Sequence, residues 1–148
     1  MTRTSLGKPA VVGLLLVLAV LSGCGGRSAA EREAQNDRYN LCLRQRTVAA
    51  VYGFIASAYR EGRLGGPEQI RKDFRVIRRS KDPPPVASFL RADGTLVPMR
   101  SMNLTQWSTF TVWLSVPRVA PIGQQAQQAG LDARLAARDD CEELAKGA

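Results

Sequence analysis

The stretch AEREAQNDRYNLCLRQRTVAAVYGFIASAYREGR, residues 30–63, decides the fold class of this chain. It contains no proline and much alanine, a composition that favours a long α-helix. Apolar residues recur along it at helical spacing, which predicts one buried stripe with Cys42 at its edge. The stripe consists of Leu41, Val48, Tyr52, Ile55 and Tyr59. The segment 62–67, with three glycines and a proline, predicts the end of this helix and a turn.

Signals on either side of this helix predict further helices. Ser28 and Glu31 fit a capping box at its start. Pro67 suits the first turn of a second helix, which is strongly basic and places Ile70 and Phe74 on one face. The proline-rich segment 82–85 then favours an extended connection.

The following segments are shorter and less uniform. Two apolar stretches flank Asp93-Gly94, which predicts a short β-hairpin near 86–99. Residues 105–116 fit either a helix that Asn103 and Gln106 would cap or a strand, since Thr, Val and Trp favour strands. The helical surroundings favour a helix. Its aromatic residues are expected in or near the core: Trp107, Phe110 and Trp113.

The last 26 residues, GQQAQQAGLDARLAARDDCEELAKGA, predict a closing helix with a bend at Gly130. Leu131 and Leu135 share one face of it, and a second face carries Ala137, Cys141 and Leu144. The chain is therefore predicted to be mainly α: a small helical bundle with the short hairpin, closed by one disulfide.

The first two dozen residues differ from the rest and have the pattern of an export signal. Arg3 and Lys8 precede an apolar run from Pro9 to Leu21, and small residues follow. The run is shorter than the roughly 20 apolar residues of a spanning helix. An uncleaved anchor or a buried core helix are the alternatives, but charges on one side only favour the export signal.

Directly after the run, Leu21-Ser22-Gly23-Cys24 resembles the lipobox of bacterial lipoprotein precursors at every position. The resemblance covers only the signal region. It implies a diacylglyceryl group on the Cys24 thiol, cleavage before Cys24 and, in many bacteria, a further acyl chain such as palmitate. Several acyl chains on one residue anchor a protein stably, whereas one chain anchors it only marginally.

The lipobox resemblance also implies a location and a domain organisation. The chain is expected on the exported side of the cell membrane, held by its lipid. Gly25 rather than Asp after the cysteine implies the outer membrane, facing the periplasm, if the host has one. The predicted organisation is a signal peptide at 1–23, a flexible tether at 24–30 and a single mainly helical domain at 31–148.

Two cysteines remain after lipidation, Cys42 and Cys141. An even pair in an exported protein favours one internal disulfide, with two buried thiols or an intermolecular bridge as the alternatives. Such a bridge would close a loop of about 100 residues, to which the chain-entropy model assigns up to about 4.7 kcal/mol.

The charge pattern suggests an anionic surface as a partner. The chain has 21 Lys and Arg and 13 Asp and Glu, a net charge of +8, which falls to +6 without Arg3 and Lys8. We hypothesise that one helix faces an anionic lipid or envelope polymer, although a solvated helix face is the simpler interpretation. Nucleic acid is not expected on the exported side. The basic residues are Arg71, Lys72, Arg75, Arg78 and Arg79.

Site chemistry is sparse. The chain has no histidine, which excludes Ser-His-Asp and Cys-His arrangements and histidine metal sites. An acidic cluster would crowd the end of the closing helix, where solvent or the basic segment is a more natural partner than calcium. It consists of Asp139, Asp140, Glu142 and Glu143. Neither a metal nor a cofactor is predicted.

Three classes of function remain. The first is a non-catalytic structural or adaptor protein of the envelope, with an unidentified envelope protein as partner. The second is a binding module for anionic lipid or polymer, and the third is an enzyme built on lysine or carboxylates. An exposed apolar patch would favour the adaptor, whereas a continuous basic surface would favour the binding module.

Overall fold

The computed structural model describes residues 27–77 and 87–147. These residues are mainly helical, as predicted, and form five α-helices and one 3-10 turn. The α-helices are α1 Ala29–Arg60, α2 Pro67–Ile77, α3 Leu104–Leu114, α4 Ala120–Ala136 and α5 Arg138–Lys146, and the 3-10 turn is Met99–Ser101. The chain divides into two compact units, Met1–Gln35 and Asn36–Ala148. The core lies in the second unit.

Local capping signals set the starts of α1 and α3. Ser28 N–H donates to Glu31 Oε2 at 2.7 Å and Glu31 N–H donates to Ser28 Oγ at 3.2 Å, which is the predicted capping box. Asn103 and Gln106 form the same reciprocal pair at 2.9 Å in both directions. This cap resolves the ambiguity of 105–116 as a helix, because it satisfies backbone donors that only a helix start leaves free.

The core of the second unit is an aromatic cluster. Phe89 lies at its centre, with ring centroids 5.2 Å from Trp113, 5.4 Å from Phe110 and 6.0 Å from Phe74. These four side chains are at most 2% exposed. Helices α2 and α3 and the loop before α3 therefore meet at one point, as offset and edge-on ring contacts allow.

The predicted hairpin near 86–99 is reduced, within the described residues 87–99, to one antiparallel bridge between Leu90 and Leu96. Gly94 turns the chain with a φ of 81°, which suits glycine. Two hydrogen bonds flank this bridge, from the Arg91 N–H to the Thr95 carbonyl and from the Val97 N–H to the Phe89 carbonyl, each at 2.8 Å.

Helix α1 holds this loop through two tyrosines of the predicted stripe. The hydroxyl of Tyr52 donates to the carbonyl of Val97 at 2.6 Å, and that of Tyr59 donates to the carbonyl of Gly94 at 2.6 Å. Burial raises the pKa of both phenols, and both stay hydrogen-bond donors at neutral pH. The loop that carries Phe89 into the core is thereby attached to α1.

The predicted α1 stripe is only partly correct. Ile55 is fully buried, but Leu41 is 54% exposed and Val48 is 36% exposed. Leu43, which lies outside the stripe, is buried instead and packs near Cys141. The disulfide turns this end of α1 toward α5, so a different face becomes the inner one.

The C-terminal segment also differs from its prediction. It forms two helices that meet at Ala137, and Gly130 lies inside α4 without ending it. Gly130 is needed for close packing, since a Cβ there would lie 2.7 Å from Val51 Cγ2 of α1. Small residues are buried on this segment, whereas its three leucines are more than half exposed. These leucines are Leu131, Leu135 and Leu144.

Candidate functional site

An open apolar groove runs between α1 and α3. It encloses about 810 Å³, and both helices and the 3-10 turn line it. We call it the apolar groove. Its apolar lining residues are Val48, Val51, Met99, Leu104, Trp107, Phe110 and Leu114.

Helix α3 supplies the longer wall of the apolar groove. Leu104, Trp107 and Leu114 lie on one side of this helix, while Trp113 on the other side is buried in the core. Phe110, 1% exposed, forms the floor and meets the Trp107 ring edge-on at 5.7 Å. Helix α3 is thus apolar on two faces, of which the core covers only one.

The rim of the apolar groove is exposed to solvent. Leu104 at the start of α3 is 86% exposed, the most exposed large apolar side chain among the described residues. Val48 on the opposite wall is 36% exposed. Exposed apolar side chains beside a concave surface make the groove a candidate interaction surface.

One end of the apolar groove is polar and basic. Arg44 lines the groove together with Gln45, Thr47 and Thr111, and none of the described lining residues carries a carboxylate. Arg44, Thr47 and Val48 also line an adjoining cavity of about 410 Å³. That cavity contains one acid and a second arginine in addition: its remaining lining residues are Asp37, Asn40 and Arg134.

Sequence reasoning missed a buried ion pair in α2. Asp73 is 5% exposed and accepts two hydrogen bonds from Arg118, at 3.1 and 2.6 Å. Trp113 Nε1–H donates to it at 2.9 Å and Gln69 at 3.3 Å. Burial by itself would raise the pKa of Asp73, but the bonds from Arg118, Trp113 and Gln69 outweigh it and hold the pKa below its usual value.

The described basic residues of the surface predicted on α2 differ in their ion pairing. Arg71 forms an ion pair with Glu68 one turn away. Lys72 and Arg75 are exposed and form no salt bridge with another described residue. Arg78 and Arg79 lie outside the described residues. An anionic surface as partner therefore remains a prediction, with two exposed cations of α2 to support it.

The structure treats the three cysteines differently. Cys24, the predicted lipidation site, lies outside the described residues, as do the lipobox and the signal segment. Cys42 and Cys141 are bridged: their sulfur atoms are 2.09 Å apart and their Cα atoms 5.7 Å apart. This is the predicted internal disulfide, and it excludes the two alternatives of free thiols and an intermolecular bridge for this conformation.

The acidic cluster has a different setting from the one predicted. Helix α5 begins at Arg138, so its first turn contains Asp139 and Asp140. A carboxylate in the first turn interacts favourably with the positive end of the helix dipole, whereas the prediction placed these acids at the unfavourable end. Glu142 pairs with Lys146 at 2.7 Å rather than with the basic helix α2. The described residues contain no group of three or more acids, histidines or cysteines placed to hold a metal ion.

Comparisons with protein-family models, curated proteins and solved structures give no match. No helix within 27–77 or 87–147 is long and apolar enough to cross a membrane. The apolar groove and the signal-region motif are the features of this chain that bear on its function.

The apolar groove itself was missed at the level of sequence, although a signal for it exists. Residues 104, 107, 111 and 114 recur at helical spacing on one face, and the buried Thr109, Phe110 and Trp113 form another. A short helix with apolar residues on two faces needs two partners. Periodicity alone cannot say which of the two faces lacks its partner.

Proposed function

We propose that this protein is a lipid-anchored protein of the bacterial cell envelope that acts as a non-catalytic adaptor. The observation that carries the adaptor role is the apolar groove, an exposed concave surface whose described lining residues include seven apolar side chains and one charged side chain. Surfaces of this kind serve recognition of partners rather than catalysis. The lipobox resemblance of Leu21-Ser22-Gly23-Cys24 supports the anchor.

The two parts of this proposal support each other physically. Lipid chains on Cys24 would restrict the domain to the membrane surface, which raises the local concentration of any partner held there. A groove of modest affinity is then sufficient for binding. The groove would lie in the folded domain and the lipid at the start of the predicted tether, 24–30. Separate sites for anchoring and for binding are what an adaptor requires.

The anchor is tested by metabolic labelling with an alkyne fatty acid. We expect wild type to incorporate the probe and to fractionate with membranes, and Cys24→Ala to do neither. Leu104→Lys, a change in the apolar groove, is the matched control and should be labelled like wild type. Equal labelling of wild type and Cys24→Ala, or none in either, would contradict the anchor.

The adaptor role is tested in the same cells by photo-cross-linking. A photoreactive amino acid at Leu104 should give a discrete adduct that mass spectrometry identifies as an envelope protein. The same amino acid at Leu144, which is 61% exposed on α5 and outside the groove, should not give it. Identical adducts from both positions, or none from either, would contradict an adaptor that uses the groove.

Binding to an anionic surface through α2 is the second candidate. The exposed, unbridged cations Lys72 and Arg75 support it, since each basic residue near an anionic membrane contributes about 1 kcal/mol at low salt. Reversal of both charges in the unlipidated chain should weaken sedimentation with anionic vesicles by tenfold or more at low salt. If the unlipidated wild type ignores such vesicles, this candidate is excluded.

A further inference from the structure

The two walls of the apolar groove have the geometry of helix faces that lack a third helix. On α3, Leu104, Trp107 and Leu114 follow one another at three and seven residues. On α1, Arg44, Val48 and Val51 follow at four and three. Side chains at these spacings form a continuous ridge, and a helix packs into the groove between two such ridges.

The openness of the groove distinguishes a helix from an acyl chain as occupant. A bound acyl chain is apolar all round and is covered best in an enclosed site, whereas Leu104 at the rim is 86% exposed. An amphipathic helix can bury one face against the floor at Phe110 and leave its polar face in water. Helix α3 has 11 residues and extends over about 16 Å, which three turns of a partner helix would cover.

The charge at the polar end of the groove indicates which residue of an occupant would lie beside its apolar face. Arg44 is the single charged residue among the described residues that line the apolar groove, and Arg134 lies in the adjoining cavity. Neither forms a salt bridge with another described residue. Asp37 is the one acid among the described residues of that cavity, so these residues carry a net positive charge. An occupant with an acidic residue at this end would be favoured.

We propose that the apolar groove binds an amphipathic helix of a partner envelope protein, with apolar residues at three- and four-residue spacing and an acidic residue beside Arg44. This inference rests on the proposed adaptor function and specifies its partner. A second copy of this chain is the alternative occupant, which measurement of the oligomeric state distinguishes.

The test uses the purified full chain with Cys24→Ala, so that no attached lipid competes, and two designed helical peptides. Each peptide has about 18 residues, long enough to form a helix, with the same leucine face and either Glu or Lys beside it. The chain has two tryptophans, of which Trp113 is fully buried and Trp107 lines the groove. A saturable change in fluorescence that Trp107→Phe abolishes therefore reports occupancy of the groove.

We expect the Glu peptide to bind at least fivefold more tightly than the Lys peptide. Arg44→Glu should reverse this preference. Leu104→Lys should weaken binding tenfold or more, while Leu144→Lys should leave it unchanged. Both leucines are more than half exposed, so neither change should unfold the chain, which thermal unfolding of each variant checks.

Several outcomes would overturn the proposal. The first is no saturable Trp107 response to either peptide, and the second is equal loss in Leu104→Lys and Leu144→Lys. A saturable Trp107 response to a free fatty acid, with none to either peptide, would assign the groove to lipid. Light scattering that shows a dimer dependent on Leu104 would assign it to a second copy. A failed fatty-acid label on Cys24 would instead contradict the anchor, and it would leave these measurements unchanged.

Discussion

Asp73 shows how one residue can organise the interior of a small helical domain. A buried carboxylate is costly unless it is paired and hydrogen-bonded. Here Arg118 binds both of its oxygens, and Trp113 adds a bond from within the core. The pair joins α2 to the segment between α3 and α4, so it orders two parts of the chain that are 45 residues apart in sequence.

Asp73→Asn should lower the free energy of unfolding by about 2–3 kcal/mol at pH 7, because bonds to a charged group are lost and Arg118 loses its counter-charge. The folded pKa of Asp73 is depressed, so its contribution is complete above the unfolded pKa of about 3.9. The contribution is lost as pH falls from there through the folded pKa. Urea unfolding of both proteins at several pH values measures the difference.

The exposed acid Asp132 provides the control for this prediction. It accepts one hydrogen bond, from the side chain of Gln128 in the preceding turn of α4. Asp132→Asn should change stability by less than about 0.5 kcal/mol at any of these pH values. A difference between wild type and Asp73→Asn that persists unchanged at pH 2 would show that the charge of Asp73 is not the source of its effect.

At the scale of elements, Gly53 of helix α1 and Gly130 of helix α4 have opposite surroundings. A Cβ at Gly53 of α1 would meet no other atom within 4 Å. A Cβ at Gly130 of α4 would meet Val51 at 2.7 Å and Thr47 at 3.2 Å. The glycine of α4 therefore permits close approach of two helices, whereas the glycine of α1 has no packing role.

Gly53→Ala should raise the free energy of unfolding by about 0.5–1 kcal/mol, the difference in helix propensity between the two residues. Gly130→Ala gains the same propensity but forces α1 and α4 apart, and overpacking of this kind costs about 1–3 kcal/mol. We expect a net loss of stability in urea unfolding. A gain from both substitutions would show that the two helices are not tightly packed at Gly130.

At the scale of the whole molecule, the disulfide compensates for weak packing near the chain end. The cluster at this end contains Leu43, Ala137 and Cys141, and two partly buried apolar side chains of the described residues pack against it. The bridge spans 99 residues of sequence. Cross-linking over such a distance restricts the unfolded chain strongly, which offsets the small size of the buried side chains of α5, Cys141 and Ala145.

The double substitution Cys42→Ser and Cys141→Ser should lower the free energy of unfolding by about 3–5 kcal/mol. Dithiothreitol should lower the melting temperature of wild type toward that of the variant and leave the variant unchanged. A non-reducing gel should show the matching shift in mobility. Thiol labelling of both residues in native envelope material would contradict a bridged form in the cell.

Particular residues show how far the sequence could predict the fold. The capping pairs Ser28–Glu31 and Asn103–Gln106 fixed two helix starts, because their geometry is local to three residues. The split at Ala137 was not predictable, since no proline or glycine marks it and α5 takes its position from the bridge at Cys141. For the same reason the sequence placed Asp139 near the C-terminal end of a helix, whereas it lies in the first turn of α5.

The candidate site was less predictable than the fold. The lipobox resemblance lies in four adjacent residues, so it can be seen without a fold. The apolar groove joins residues that are more than 50 positions apart in sequence, such as Val48 and Leu104, so the local pattern on α3 indicates a second apolar face but not the groove. The same limit applies to Asp73 and Arg118.

The sequence by itself determined the helical class and two helix caps, because these depend on spacing within the chain. By residue count and composition it favoured a disulfide between two cysteines and predicts an export signal. Only the tertiary structure decided which apolar faces are covered. Burial depends on which elements meet, and the disulfide and the buried Asp73 set that arrangement here. The exposed second face of α3, and with it the apolar groove, follows from tertiary packing alone.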